Sequence, residues 1–356
     1  LAPIFHSSRD YEKWFLQAKK LRDLGPFLSN LEPHGMSKFE YISELNTCLD
    51  KGRAIYKYVK SMGKFQRTLV ERILSDLEMI KAGELTRKNA QQERKAPFAT
   101  LLYGASSVGK STLAKLLFYH YANIRDLPSE DEYRFVRNPF DEYWVNFQSH
   151  QYSAFLDDIA FLRPSAAPNG DPSIIEMLQV INNVPFVPSQ AALEDKGKTP
   201  MFCEQVIATT NTEDLNAYSY FSCPLAVQRR MPFVIEVVPK EEYTKDVYML
   251  DAGAVPEIEP GQYPDYWILK VKRVVPHGKD QAKLELVNTF SDINRFVSWY
   301  SMEAFRHIAI QEKAMRCNQG MKKVELCKTC YAPSCTCEVE EESKELELQS
   351  LSNLMP

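Results

Sequence analysis

Tyr103-Gly104-Ala105-Ser106-Ser107-Val108-Gly109-Lys110-Ser111-Thr112 decides how the rest of the chain is read. The stretch has the form Gly-x4-Gly-Lys-Ser, a loop pattern whose weight depends on what flanks it. Before it, Phe98-Ala99-Thr100-Leu101-Leu102-Tyr103 is a short apolar run of strand character. After it, Leu113-Ala114-Lys115-Leu116-Leu117-Phe118-Tyr119 repeats apolar residues at the helical period. A strand that enters a glycine-rich turn and leaves as a helix aims successive backbone N–H groups at one point. The positive end of the helix dipole favours an anion there. Gly104, Ala105, Ser106, Ser107, Val108, Gly109, Lys110, Ser111 and Thr112 are therefore the candidate cradle for a nucleotide's phosphates. Lys110 is placed to neutralise the β- and γ-phosphates, and the Ser111 hydroxyl to sit on Mg²⁺. The competing reading is a surface turn that matches by chance, against which stands a chain with only 13 glycines in 356 residues.

Hydrophobic content of 44% and charged content of 25% describe an ordinary globular chain, long enough for two or three domains. A net charge of −4 gives no overall pull toward nucleic acid, so any such binding needs a local patch. No apolar run approaches the roughly 18 residues that cross a bilayer, and no signal-peptide pattern is present. The first residue is Leu, so a fragment or processed product is expected. Eight cysteines, mostly near the end at metal-like spacing, fit a reducing compartment better than a disulfide framework.

Residues 1–95 read as helical. From Asp10 to Leu24 the residues Tyr11, Trp14, Phe15, Ala18 and Leu21 share one stripe, with Lys13, Lys20 and Arg22 on other faces. Such a stripe suits either a helix–helix seam or a membrane surface. A second helical stretch covers Lys38 to Ala82, and a polar run from Lys88 to Lys95 reads as a linker.

Residues 96–240 alternate short apolar runs with helical segments, the mark of a parallel sheet flanked by helices. Strand candidates are Tyr133–Val136, Ser153–Asp158, Cys203–Asn211 and Phe233–Val238. Open sheets of this kind bind ligands beyond the carboxyl ends of their strands, where this chain places polar residues. Residues 241–316 read as a smaller α/β unit, with a strand over Tyr266–Val275 and a helix over Asp292–Gln311. Residues 317–338 are cysteine-rich, and 339–356 form an acidic tail or linker.

Asp157 and Asp158 end the strand that best complements the loop. One carboxylate there can hold Mg²⁺ while the other polarises the attacking water; the alternative is two acids capping a helix. Asn211 ends the next strand, where its amide can reach a γ-phosphate or the water, or serve as an ordinary turn residue. Arg229 and Arg230 precede the following strand. They can stabilise charge on a transferred phosphoryl group, and if they act on a neighbour's nucleotide the active species is an oligomer.

With these residues in place, the 98–240 region resembles the ATPase module of superfamily 3 helicases, as found in the replication ATPase of picornavirus-like positive-strand RNA viruses. Beyond the loop, the resemblance rests on four further motifs. They are Asn138-Pro139-Phe140-Asp141-Glu142-Tyr143-Trp144 with Gln151 and Leu156-Asp157-Asp158, Phe186 to Gly197, Ala208-Thr209-Thr210-Asn211, and Ala226-Val227-Gln228-Arg229-Arg230. The resemblance implies an AAA+-type P-loop NTPase fold, ATP with Mg²⁺ and a hexameric ring. It also implies RNA in the central channel and attachment to replication membranes in the host cytoplasm, beside other viral replication proteins. Lys196 falls where the family lines its channel.

Cys327-x2-Cys330-x4-Cys335-x-Cys337 presents four thiols at spacing suited to a tetrahedral structural zinc, with Cys317 as a spare ligand. Free cytosolic thiols are the alternative, and the Cys-x-Cys pair strains a single-ion site. Only the idea of zinc carries over from the family, whose cysteine-rich site lies closer to the arginines. Two basic patches are candidates for RNA: Lys270, Lys272, Arg273, Lys279 and Lys283, and Lys313, Arg316, Lys322, Lys323 and Lys328.

The leading expectation is an oligomeric Mg²⁺-dependent NTPase and RNA helicase of viral genome replication. A membrane-associated scaffold or remodelling ATPase without true unwinding is the alternative. The replication initiator of a small DNA virus stands further off, because none of the six histidines forms the His-x-His pair of a nicking domain.

Overall fold

Strands over Phe98–Tyr103 (β1), Arg134–Arg137 (β2), Ser153–Leu156 (β3), Gln205–Thr210 (β4) and Phe233–Pro239 (β5) lie parallel in one sheet in a computed structural model of the chain. The structure describes residues 8–28, 30–59, 64–191, 197–246, 248–333 and 337. A two-stranded hairpin, Thr244–Lys245 (β6) and Met249–Leu250 (β7), follows. Trp267–His277 (β8) and Gln281–Phe290 (β9) then add to the free edge of β5 in antiparallel register. The order across the sheet is β2-β3-β4-β1-β5-β8-β9. β4 thus separates the loop-bearing strand from the strand that ends in the acids.

β1, β3 and β4 are almost wholly buried, as central parallel strands covered on both faces must be, and in β4 the buried set includes Gln205, Thr209 and Thr210. The helix over Lys110–Arg125 covers one face and buries Leu113, Ala114, Leu116, Leu117, Phe118, Tyr121 and Ala122. Their spacing of three and four is the stripe read from the sequence. The opposite face packs Trp144, Phe147, Ile174, Met177 and Met201 against Leu101, Ala154 and Val206.

The N-terminal region is helical, as expected, but the single stretch read from Lys38 to Ala82 is two helices. Counting helices from the N-terminus, α1 spans Ser8–Leu24, α2 Lys38–Val59 and α3 Lys64–Ala90, with the Lys110–Arg125 helix as α4. Trp14, Ala18 and Leu21 are buried in a core of their own with Tyr41, Leu45, Leu49, Val70 and Leu77. The aromatic stripe of α1 is therefore largely spent on packing, and the Trp14 indole donates to the Cys48 carbonyl at 2.9 Å. Among the described residues no helix is long and apolar enough to cross a membrane. The run read as a linker is helical through Ala90. Its Arg94 is buried, with the guanidinium donating to the carbonyls of Gln179, Val180 and Val184.

Beyond residue 240 the structure differs from a separate small unit. β8 and β9 extend the main sheet, and the long helix Ile293–Met321 buries Phe296, Trp299 and Tyr300 in the same core as Phe98, Leu117 and Ile235. Sequence reading passed over β9, whose exposed outer residues blur the alternation. It also ended the long helix at Gln311. The last turns carry no apolar stripe and are held by helix-forming Glu, Lys, Ala, Met and Arg. Cys317 therefore sits on that helix and not with the later cysteines. The acidic tail at 339–356 lies outside the described residues.

Candidate nucleotide-binding site

The loop after β1 is shaped by two left-handed residues, Ser107 at φ 64° and Gly109 at φ 89°. At Gly109 the positive φ strains any other residue, and a Cβ there would also press on the Trp267 indole nitrogen at 3.0 Å and Leu250 Cδ2 at 3.1 Å. Gly104 is equally bound, because its Cβ would come within 2.9 Å of the Val237 carbonyl oxygen. α4 begins at Lys110 with no side chain capping its first turn, which leaves the N–H groups of that turn facing the loop's mouth. Ser106, Ser107, Ser111 and Thr112 are exposed around this mouth.

The Lys110 ammonium lies inside the loop and donates to the carbonyls of Gly104 at 2.7 Å and Ala105 at 2.9 Å. It also donates to Asn211 Oδ1 at 2.6 Å. The Asn211 amide in turn donates to Asp158 Oδ1 at 3.3 Å, linking the lysine to the acid pair. Thr209 fixes the acids from below. Its hydroxyl donates to Asp157 Oδ1 at 2.8 Å and accepts from the Asp158 backbone N–H at 2.8 Å. Asp158 adopts φ 49°, so the chain turns sharply as it leaves β3 and the two carboxylates stay at the strand's end. Asp157 N–H is held by the Arg137 carbonyl at 3.2 Å. Arg137 is itself buried, forked onto Glu176 at 2.9 and 3.1 Å, and Trp144 donates to the same Glu176 at 2.7 Å.

Burial pulls the Lys110 pKa down, opposed by Asp158 and Asp157. Burial pushes the Asp158 carboxyl above its ordinary value; Lys110 pulls it back and Asp157 adds to the rise. A half-buried lysine beside a half-buried and an exposed carboxylate suits a ligand that brings both negative phosphate and positive metal.

The structure thus gathers Lys110, Asp157, Asp158 and Asn211 at one edge of the sheet. It does not bring Arg229 and Arg230 to them. Both follow the short helix Pro224–Gln228 and precede β5, which runs parallel to β1 with Val234 opposite Leu101. The arginines therefore sit at the opposite edge, about 20 Å away along a seven-residue strand at ~3.3 Å per residue. Arg229 is exposed, and Arg230 donates to the Ile181 carbonyl at 3.0 Å. Burial and the neighbouring Arg229 lower the Arg230 pKa.

Sequence reasoning missed three supports of this site. They are Thr209, inside the asparagine-ended motif, Trp267, inside a strand, and Leu250, which no motif includes. The Trp267 indole donates to the Val108 carbonyl at 2.8 Å, and the Leu250 N–H to the Ser107 carbonyl at 3.0 Å. Nothing in the local pattern ties those residues to a loop so far back in the chain.

Near the C-terminus, the sulfurs of Cys327, Cys330 and Cys337 lie within 4.8 Å of one another. Three thiols gathered this closely form a group that can hold a metal ion. Cys335 and Lys196 lie outside the described residues. Cys317 is exposed on the long helix and is not part of the cluster. The first basic patch is largely neutralised. Lys270 and Lys272 pair with Glu236, Lys272 also with Glu213, Arg273 with Glu303 and Lys283 with Glu285. Lys313, Arg316, Lys322, Lys323 and Lys328 are exposed, and none has an ion pair among the described residues.

A mostly parallel sheet with a phosphate loop at its carboxyl edge, a lysine, an acid pair and an asparagine defines a P-loop NTPase. Residues 100–212 match the RNA helicase family. The replicase polyprotein of acute bee paralysis virus (strain Rothamsted) is 30% identical over 184 residues, 49% of this chain and 9% of that protein. The genome polyprotein of rice tungro spherical virus (strain A) is 31% identical over 163 residues, 44% and 4% respectively. That of human rhinovirus A serotype 89 (strain 41467-Gallo) is 32% identical over 158 residues, 43% and 6%. The chain thus spans less than a tenth of the length of each. Together the matches support a superfamily 3 helicase domain of the picornavirus-like type over this part of the chain.

Proposed function

We propose that the chain is a Mg²⁺-dependent nucleoside triphosphatase that works on RNA during viral genome replication, as part of a polyprotein and as a ring oligomer, hexameric as in the family. The observation that carries this reading is the unbroken set of contacts from Lys110 through Asn211 to Asp158, with Thr209 clamping Asp157, beneath the uncapped start of α4. The loop amides and Lys110 bind ATP's phosphates, and Lys110 exchanges its contacts with Gly104, Ala105 and Asn211 for phosphate oxygens. Asp157 and the exposed Ser111 hydroxyl are hard oxygen donors that fit Mg²⁺. When bound, that ion supplies charge neutralisation at the phosphates. Asp158 orients and activates the attacking water, and Asn211, released by the lysine, holds the γ-phosphate or that water. Arg229 and Arg230 act on the nucleotide of an adjoining subunit, for which the far edge of the sheet supports the reading.

The thiols of Cys327, Cys330 and Cys337 hold a structural zinc, with Cys335 completing the four. Lys196 contacts RNA in the channel, and the unpaired lysines at the end of the long helix add a second, salt-sensitive contact. The setting is the host cytoplasm at replication membranes, with other viral replication proteins. The test is ATP hydrolysis with and without RNA, run beside strand displacement on a partial RNA duplex. RNA-stimulated hydrolysis with displacement is the expected result. Hydrolysis without displacement at any salt would replace the helicase by a scaffold ATPase.

A further inference from the structure

Resting on the NTPase reading above, we infer that Trp267 is a positioning residue for phosphate binding, acting from the antiparallel strand β8 through the backbone of the phosphate loop. In a trans peptide the C=O and the following N–H point in opposite directions. A bond that pins a carbonyl on one side therefore aims the next amide to the other. The Trp267 Nε1–H holds the Val108 carbonyl at 2.8 Å, which turns the Gly109 N–H away from the indole. The Leu250 N–H holds the Ser107 carbonyl at 3.0 Å, which turns the Val108 N–H the same way. Two consecutive peptide units are thus locked with their oxygens toward the C-terminal strands and their N–H groups toward the nucleotide side.

The lock is tight. Trp267 is 1% exposed, and it lies so close to Gly109 that a Cβ there would stand 3.0 Å from the indole nitrogen. Its ring also packs on Tyr266 at 5.3 Å, so it cannot swing away without opening the core. The loop needs such a hold, because Ser107 is a non-glycine residue at φ 64° and costs energy to keep there. Strands that leave the nucleotide untouched thereby set the direction of its donors.

Nucleotide affinity of the full chain, read with a fluorescent ATP analogue and competing ATP or inorganic triphosphate, tests this. Trp267→Phe keeps an aromatic ring and deletes the donor. Replacing the indole by a benzothiophene side chain keeps the shape as well, should the phenylalanine variant unfold. Both are expected to weaken ATP and triphosphate binding about tenfold, while kcat at saturating ATP falls much less. Trp299→Phe serves as the control: it removes a tryptophan of the same core that packs on Phe233, and leaves the affinity unchanged. Affinity within twofold of the parent chain in both Trp267 variants overturns the inference. A parent chain that binds no triphosphate would overturn the NTPase reading and this inference with it.

Discussion

On the function proposed above, the two ends of the parallel strands carry different halves of one chemistry. At the carboxyl end, Lys110, Asn211, Asp158, Asp157 and Thr209 touch in sequence and are held from behind by Arg137 and Trp267. At the amino end, Arg229 projects into solvent and Arg230 is tied to the Ile181 carbonyl, with no group of the other end in reach. A side chain cannot bridge a strand's length, so under that proposal one chain would hold a phosphate-binding half-site and a cationic half-site at opposite ends of the strands. A neighbour that brings the second half of its own surface to the first half of this one would complete both.

The largest effect breaks that comparison directly. Lys110→Ala is expected to abolish hydrolysis with the fold intact, and removing both arginines to lower kcat by about 10³–10⁵-fold while ATP still binds. Mixing the two inactive chains should restore turnover, since a mixed ring contains intact loops facing intact arginines. Steady-state phosphate release from the mixture decides it: no recovery at any ratio would put the arginines back on their own chain's nucleotide.

A smaller effect concerns the C-terminal cysteines, remote from both half-sites in sequence. Cys330→Ser is expected to take zinc content from about one ion per chain to almost none, since a structural site needs its full set of thiolates. Hydrolysis by the assembled chain should survive. Metal analysis beside the ATPase assay checks this, and an unchanged metal content would dismiss the zinc reading.

The smallest effect sharpens the carboxyl-end half-site. The Asp158 carboxyl titrates above its ordinary value of 3.8 in the folded chain. Its contribution to stability is therefore complete below that value and is lost as pH rises through the folded pKa. Asp158→Asn, which mimics the protonated form, should raise the melting temperature of the nucleotide-free chain at neutral pH. The gain is about 1 °C, because the half-open site screens the charge, and it shrinks toward acid. Thermal unfolding across a pH series measures it, and a destabilised variant at neutral pH would show that burial does not govern this carboxyl.

Some of this was legible in the chain because it is local. Gly104, Gly109 and Lys110 lie within one turn, and the α4 stripe repeats at a period any helix must have, so loop and helix announce each other. Asp157, Asp158 and Asn211 could be placed because parallel strands end at one edge, which makes a polar residue after an apolar run a candidate in itself. The acid pair's tether to Thr209 and the break between α2 and α3 were harder, since each depends on which strand or helix lies alongside.

What the amino-acid order determined alone is the class of the protein: a strand, a phosphate loop, a helix and two further strand ends, one bearing the acids and the other an amide. Tertiary structure alone decided that β8 and β9 join the main sheet, that Trp267 and Leu250 hold the loop, and that Arg229 and Arg230 stand at the far edge. Local patterns report a residue's immediate turn or strand. Contacts such as Trp267 to Val108 form only when the sheet's order puts distant segments side by side, and no periodicity encodes that order.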